Sequence, residues 1–171
     1  MCNVKRVKSA EIFPIVSEIL TQGGHAWIVV TGVSMYPFLR EDKDSVKLTA
    51  TSFKEIKRGD IVLIKRETGE YVLHRVLRKA ENSFYMIGDA QQWIEGPLMP
   101  KQLIAVVTAI KKGQSEAINC NNFVWKLLSG MWLNMIPLRH VVFKLIGVIR
   151  KVYYFFKRDN TKMRRNCETK S

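Results

Sequence analysis

The chain has 171 residues, 47% of them hydrophobic and 25% charged, which fits one domain with a packed core and argues against both disorder and two domains of ordinary size. Its formal net charge is +13, and the excess is concentrated: residues 1–110 carry 15 Lys and Arg against 12 Asp and Glu, whereas residues 111–171 carry 13 against 3. Three scattered cysteines, Cys2, Cys120 and Cys167, make neither a disulfide framework nor a metal-ligand set.

Residues 9–22 predict a helix, with Ser9 as cap, Ile12, Ile15, Val16, Ile19 and Leu20 on one face and Gly23-Gly24 as the stop. Pro14 is expected to confine the well-formed part to the residues after it. Pro14 and Glu18 also break the apolar stretch, so it reads neither as a signal peptide nor as a membrane span. Strands are then expected at 26–31, 46–51, 60–65, 70–79, 83–87 and 103–110, each rich in Val, Ile, Leu or aromatics and bounded by turns such as Arg58-Gly59-Asp60. This pattern predicts a mainly β, coiled antiparallel domain over 26–112, preceded by a short helical lead-in, 1–25, and followed by a linker and helical tail, 113–171. The segment 89–100, with two prolines, is long for a hairpin connection and reads as a functional loop.

Gly32-Val33-Ser34-Met35-Tyr36-Pro37 follows the first strand. Gly32 relaxes the backbone and Pro37 fixes φ, so the Ser34 hydroxyl sits on a rigid corner: a seat for a nucleophile, or a turn serine bonded to its own backbone. In the strand 70–79, period-two alternation puts His74 on the face of Val72 and Val76, as a core histidine or as a base in an apolar cleft. Asp89 closes the next strand, where it can orient an imidazole or cap a turn. Together, Ser34, His74 and Asp89 supply the nucleophile, base and orienting anion of acyl transfer.

In order, Gly32-Val33-Ser34-Met35-Tyr36-Pro37, Arg58-Gly59-Asp60-Ile61-Val62, His74-Arg75-Val76 and Gly88-Asp89-Ala90 resemble the successive motifs of the signal peptidase I superfamily (S24/S26), which includes LexA-type peptidases. The chain is most similar to its endoplasmic-reticulum and archaeal branch, which has His-Arg where other members place a lysine. The resemblance implies a β-rich serine endopeptidase, with Ser34 as nucleophile, His74 as base and backbone N–H groups of Ser34 and Met35 at the oxyanion. A histidine base needs no desolvation to be neutral near pH 7, as a lysine would. That branch carries acidic residues in its Gly-Asp motif and again several residues later, here near Glu95; Asp89 is preferred as third member because its strand end is the better fixed.

Two departures stand out. Many members have a serine where Gly32 stands, so the oxyanion hole is expected to rest on backbone N–H groups, with Thr31 a candidate helper, and the residues before the first strand are not expected to supply the amino-terminal anchor of the conventional enzymes. His25 and His140 have no supporting partners and read as a turn residue and part of a basic face. No metal or cofactor is implied. The expected substrate is a leader- or signal-bearing polypeptide. The alternative is a catalytically silent β domain that binds an anionic membrane or nucleic acid through its basic tail.

On a helix over 139–158, Arg139, His140, Lys144, Arg150, Lys151, Lys157 and Arg158 fall within about 140° and apolar residues fill most of the remainder. Such a helix suits an anionic membrane surface rather than nucleic acid, with 123–138 dipping in beside it. The expected location is therefore membrane-associated through 123–158, with the peptidase domain on the cytoplasmic side. The competing expectation is that both segments simply pack on the β domain.

Overall fold

The computed structural model describes residues 9–139, 141–145, 147 and 149. Helix α1 (Ser9–Thr21) is followed by β1 (His25–Val29), β2 (Asp44–Thr49), β3 (Ile61–Lys65), β4 (Tyr71–Lys79), β5 (Phe84–Ile87), β6 (Glu95–Leu98), β7 (Leu103–Lys112) and β8 (Ala117–Asn119). Helix α2 (Phe123–Asn134) comes next, and short 3-10 turns lie at Pro100–Gln102 and Ile136–Leu138. The eight strands form one sheet in the order β1-β2-β7-β3-β4-β5-β6, with β8 beside β7, and every pairing is antiparallel. The mainly β class, with helices at both ends, is thus the observed one.

Alternation along the strands divides the core in two. Ile61 and Leu63 of β3 join Val46, Leu48, Val107 and Ile110 in one cluster with Phe13, Val16 and Leu20 of α1. Val62 and Ile64 join Val76, Phe84, Met86 and Leu98 in the other. The uninterrupted apolar run Ile61–Ile64 exists because β3 is buried on both faces, as a central strand of a coiled sheet must be.

Some expectations need correction. Pro14 lies inside α1 rather than before its ordered part. Its missing N–H forfeits the bond to the Ala10 carbonyl, but burial of Phe13, Val16 and Leu20 and the stacking of Phe13 on Tyr71 at 4.4 Å hold the helix. The segment 89–100 is not all loop, because 95–98 pairs with β5 as an edge strand. Pro97 is tolerated at that edge. Gly96 adopts φ +140° where a Cβ would lie 2.8 Å from the Tyr85 ring and 2.9 Å from the Phe84 carbonyl. A further short strand, β8, occupies part of the expected linker. His25 opens β1 opposite Thr49 instead of sitting in a turn.

The described residues fall into two compact units that divide between Asn134 and Met135. Helix α2 belongs to the first. It buries Trp125, Ser129, Trp132 and Leu133, and Trp125 joins the α1-side cluster. In the second unit, residues 141–145 are helical; the expected amphipathic helix over 139–158, His140 included, lies largely outside the described residues.

Candidate active site

The turn that carries Ser34 is clamped at both ends. At its entry Gly32 takes φ +82°, a conformation that favours glycine, and its N–H donates to Glu41 Oε1 at 2.9 Å. At its exit the buried Asp44 carboxylate accepts from the Arg40 backbone N–H at 2.9 Å, from the Arg40 guanidinium at 2.8 Å and from Lys112 Nζ at 3.1 Å. Lys112 also donates to the Phe38 carbonyl. Burial alone would raise the Asp44 carboxyl, but these donors bring it down to about 2. Because the folded value lies below the unfolded one, Asp44 contributes stability that is fully present above pH 4 and is lost as pH falls through about 2. Urea denaturation of wild type and Asp44→Asn should therefore differ most at neutral pH, and the gap should close in acid.

The middle of the turn meets the end of β5. The Ala90 N–H donates to the Ser34 carbonyl at 2.8 Å, and a Cβ on Gly88 would lie 2.8 Å from that same oxygen. Glycine is required there for the two loops to approach. Ser34 is half-buried and Met35 buried. The Tyr36 N–H is used within the turn, donating to the Val33 carbonyl at 3.1 Å, whereas the N–H groups of Ser34 and Met35 donate to no group among the described residues. Thr31 is exposed.

Strand β4 sends adjacent residues to opposite faces. His74, only 2% exposed, shares a face with Val76, which pairs with Met86, which in turn pairs with Glu95. Residues paired across a sheet share a face, so Glu95 reaches His74 from two strands away. Glu95 Oε2 lies 3.2 Å from His74 Nδ1, close enough for an ion pair although the atoms are not aligned for a hydrogen bond. Arg66 grips Glu95 with both limbs of its guanidinium, Nε to Oε1 at 2.5 Å and Nη2 to Oε2 at 2.9 Å, and holds Glu70 at 2.9 Å. Burial pushes the His74 pKa below its ordinary value; the Glu95 charge raises it and the Arg66 charge lowers it. Burial would raise Glu95, but Arg66 and then His74 bring it below its ordinary value.

Arg75 points the other way and engages Asp89. Both side chains are fully buried and joined by two hydrogen bonds, Nε to Oδ1 at 2.9 Å and Nη2 to Oδ2 at 2.7 Å. Arg75 Nη1 also donates to the Gly59 carbonyl at 2.8 Å and to Ser129 Oγ of α2 at 2.9 Å, and the guanidinium lies 4.9 Å over the Phe38 ring. Trp132 Nε1 donates to the Asp89 carbonyl at 3.2 Å. The preferred orienting anion, Asp89, is thus the partner of Arg75, and the carboxylate against the imidazole is its competitor for that role, Glu95. No hydrogen bond joins the Ser34 hydroxyl to His74 among the described residues.

Sequence reasoning missed Arg66, Ser129 and Trp132. Arg66 stands four residues before Glu70, a spacing with its own explanation, and nothing local ties it to a glutamate 29 positions away.

A half-buried serine on a clamped turn and a strand-borne imidazole thus lie in one β-rich unit. The Peptidase S24-like family matches residues 3–108, more than half of the sequence, and the chain belongs to that family. No curated protein matches it.

Proposed function

We propose that this protein is a serine endopeptidase of signal peptidase type that removes a leader or signal-like segment from a polypeptide. Ser34 Oγ attacks the scissile carbonyl while its proton passes to His74 Nε2, and the oxyanion that forms is taken by the Ser34 and Met35 N–H groups. The imidazolium then gives that proton to the leaving amine, releasing one product and leaving an acyl group on Ser34. Water repeats the sequence, its proton passing to His74 and back to Ser34 as the acid product departs. Glu95, 3.2 Å from Nδ1, stabilises the imidazolium as it forms, and Arg66 keeps Glu95 ionised and aimed. Asp89 has a different part: with Arg75 it fixes the loop whose Ala90 N–H grips the Ser34 carbonyl.

The observation that carries this assignment is the 3.2 Å approach of Glu95 to the buried His74. Glu95→Gln should lower kcat by about 10²- to 10⁴-fold with little change in KM, because the amide cannot stabilise the imidazolium as the carboxylate does. Steady-state cleavage of a leader-bearing peptide tests this, and full activity of the variant would remove Glu95 from the mechanism.

The acid limb provides a second check. His74 must be neutral to act as base and its pKa is lowered, so kcat/KM should hold its plateau at pH 7 and fall only below about pH 6.5. Arg66→Gln removes a charge that opposes protonation of His74, so the limb should move upward. A limb above pH 8 in the wild type would point to a base other than this histidine.

A further inference from the structure

Helix α2 is apolar on two opposite sides. Trp132, Trp125, Ser129 and Leu133 are buried against the β unit and occupy an arc of about 100° at 100° per residue. Phe123, Leu127, Met131, Val124 and Leu128 occupy the facing arc of about 140°, and all are exposed, from 47% at Leu128 to 76% at Phe123. A helix of a water-soluble domain ordinarily turns charged or polar residues outward; here five large apolar side chains form a contiguous outward stripe. We propose that this outer face of α2 docks on the surface of an anionic lipid bilayer.

The chain beyond α2 identifies the occupant. Residues 135–171 contain 10 Lys and Arg against 2 Asp and Glu, so the stripe is continuous in sequence with a strongly cationic segment. Aliphatic and aromatic side chains among acyl chains, with neighbouring cations among negative headgroups, are the two components of interfacial binding. Nucleic acid would satisfy the cations but not the apolar stripe. No described helix is long and apolar enough to cross a membrane, which fits a helix lying in the surface. The inner face of α2 is tied to the site through Ser129 to Arg75 and Trp132 to the Asp89 carbonyl, and Ala90 beside it holds Ser34. A docked α2 would therefore present the Ser34 loop at a fixed height and angle to the bilayer, where a membrane-tethered leader would be delivered.

The test is co-sedimentation of the full chain with vesicles of phosphatidylglycerol and phosphatidylcholine, and with phosphatidylcholine vesicles alone. Wild type should partition onto the anionic vesicles, more weakly as salt rises. Leu127→Asp with Met131→Asp, at two exposed positions, should reduce that partitioning by about 100-fold, since each apolar side chain withdrawn from water is worth roughly a factor of ten. The same variant should retain wild-type cleavage of a soluble peptide and a wild-type denaturation midpoint. Ser34→Ala should bind as wild type does, so vesicle binding stands or falls independently of the catalytic assignment. Absence of wild-type binding at low salt would overturn the proposal. So would undiminished binding by the double variant, which would assign the affinity to residues beyond α2. A wild-type dimer that the double variant converts to monomer, with no vesicle binding by either, would give the face to a second copy and equally overturn it.

Discussion

His74→Ala is expected to abolish peptide cleavage, lowering kcat by about 10⁴- to 10⁶-fold, and Ser34→Ala to do the same. Without the imidazole the Ser34 hydroxyl keeps its proton and is a poor nucleophile at neutral pH; without the hydroxyl the imidazole has nothing to activate. The two act as one unit, so the double variant should be hardly slower than either single one, rather than the product of the two losses. Folding should survive each change. Ser34 holds its neighbours through its main-chain carbonyl, which alanine retains. His74 is buried beside Val62 and Val76 on a strand fixed on both sides, so alanine there leaves a small void and no unpaired charge. Kinetics of the four proteins, with far-ultraviolet circular dichroism as the control for folding, checks this.

Asp89→Asn should act on stability, by about 3–5 kcal/mol, because it leaves the Arg75 guanidinium buried without its counter-charge. Both side chains have no exposure, so water cannot compensate. The damage should also reach α2, whose Ser129 and Trp132 bond to Arg75 and to the Asp89 carbonyl. Urea denaturation should show a lower midpoint for Asp89→Asn, and Arg75→Met combined with Asp89→Leu should recover much of the loss, since removing both charges relieves the uncompensated one. Per folded molecule, Asp89→Asn should turn over faster than Glu95→Gln. The reverse order would make Asp89 the orienting anion after all.

Much of the fold arises from local pattern. Most of the longer strands are rich in β-branched, leucine or aromatic residues, and β3 and β4 in particular announce themselves by composition. The positions of Ser34 and His74 are equally local, one set by Gly32 and a strand end, the other by alternation along β4. The choice between Asp89 and Glu95 is not local. It depends on the register of three strands, Val76 with Met86 and Met86 with Glu95, interrupted by irregularities at Val76/Arg78 and Phe84/Met86, and no single stretch encodes that. Glu95 itself lies on a strand written Glu-Gly-Pro-Leu, which lacks β-formers and pairs only because Gly96 accepts φ +140° beside Tyr85. The same holds for α2: large apolar residues stand on both of its sides, and contact with Phe38 and Arg75 distinguishes the Trp125, Ser129 and Trp132 side from the Leu127 and Met131 side.

The central claim, that Ser34 is the nucleophile of an endopeptidase, is tested most directly by incubating wild-type and Ser34→Ala protein with a panel of leader-bearing peptides and reading the products by mass spectrometry. Wild type should cut at one defined bond in at least one peptide of the panel, and Ser34→Ala should leave every peptide intact. Cleavage at the same bond and rate by Ser34→Ala would contradict the account.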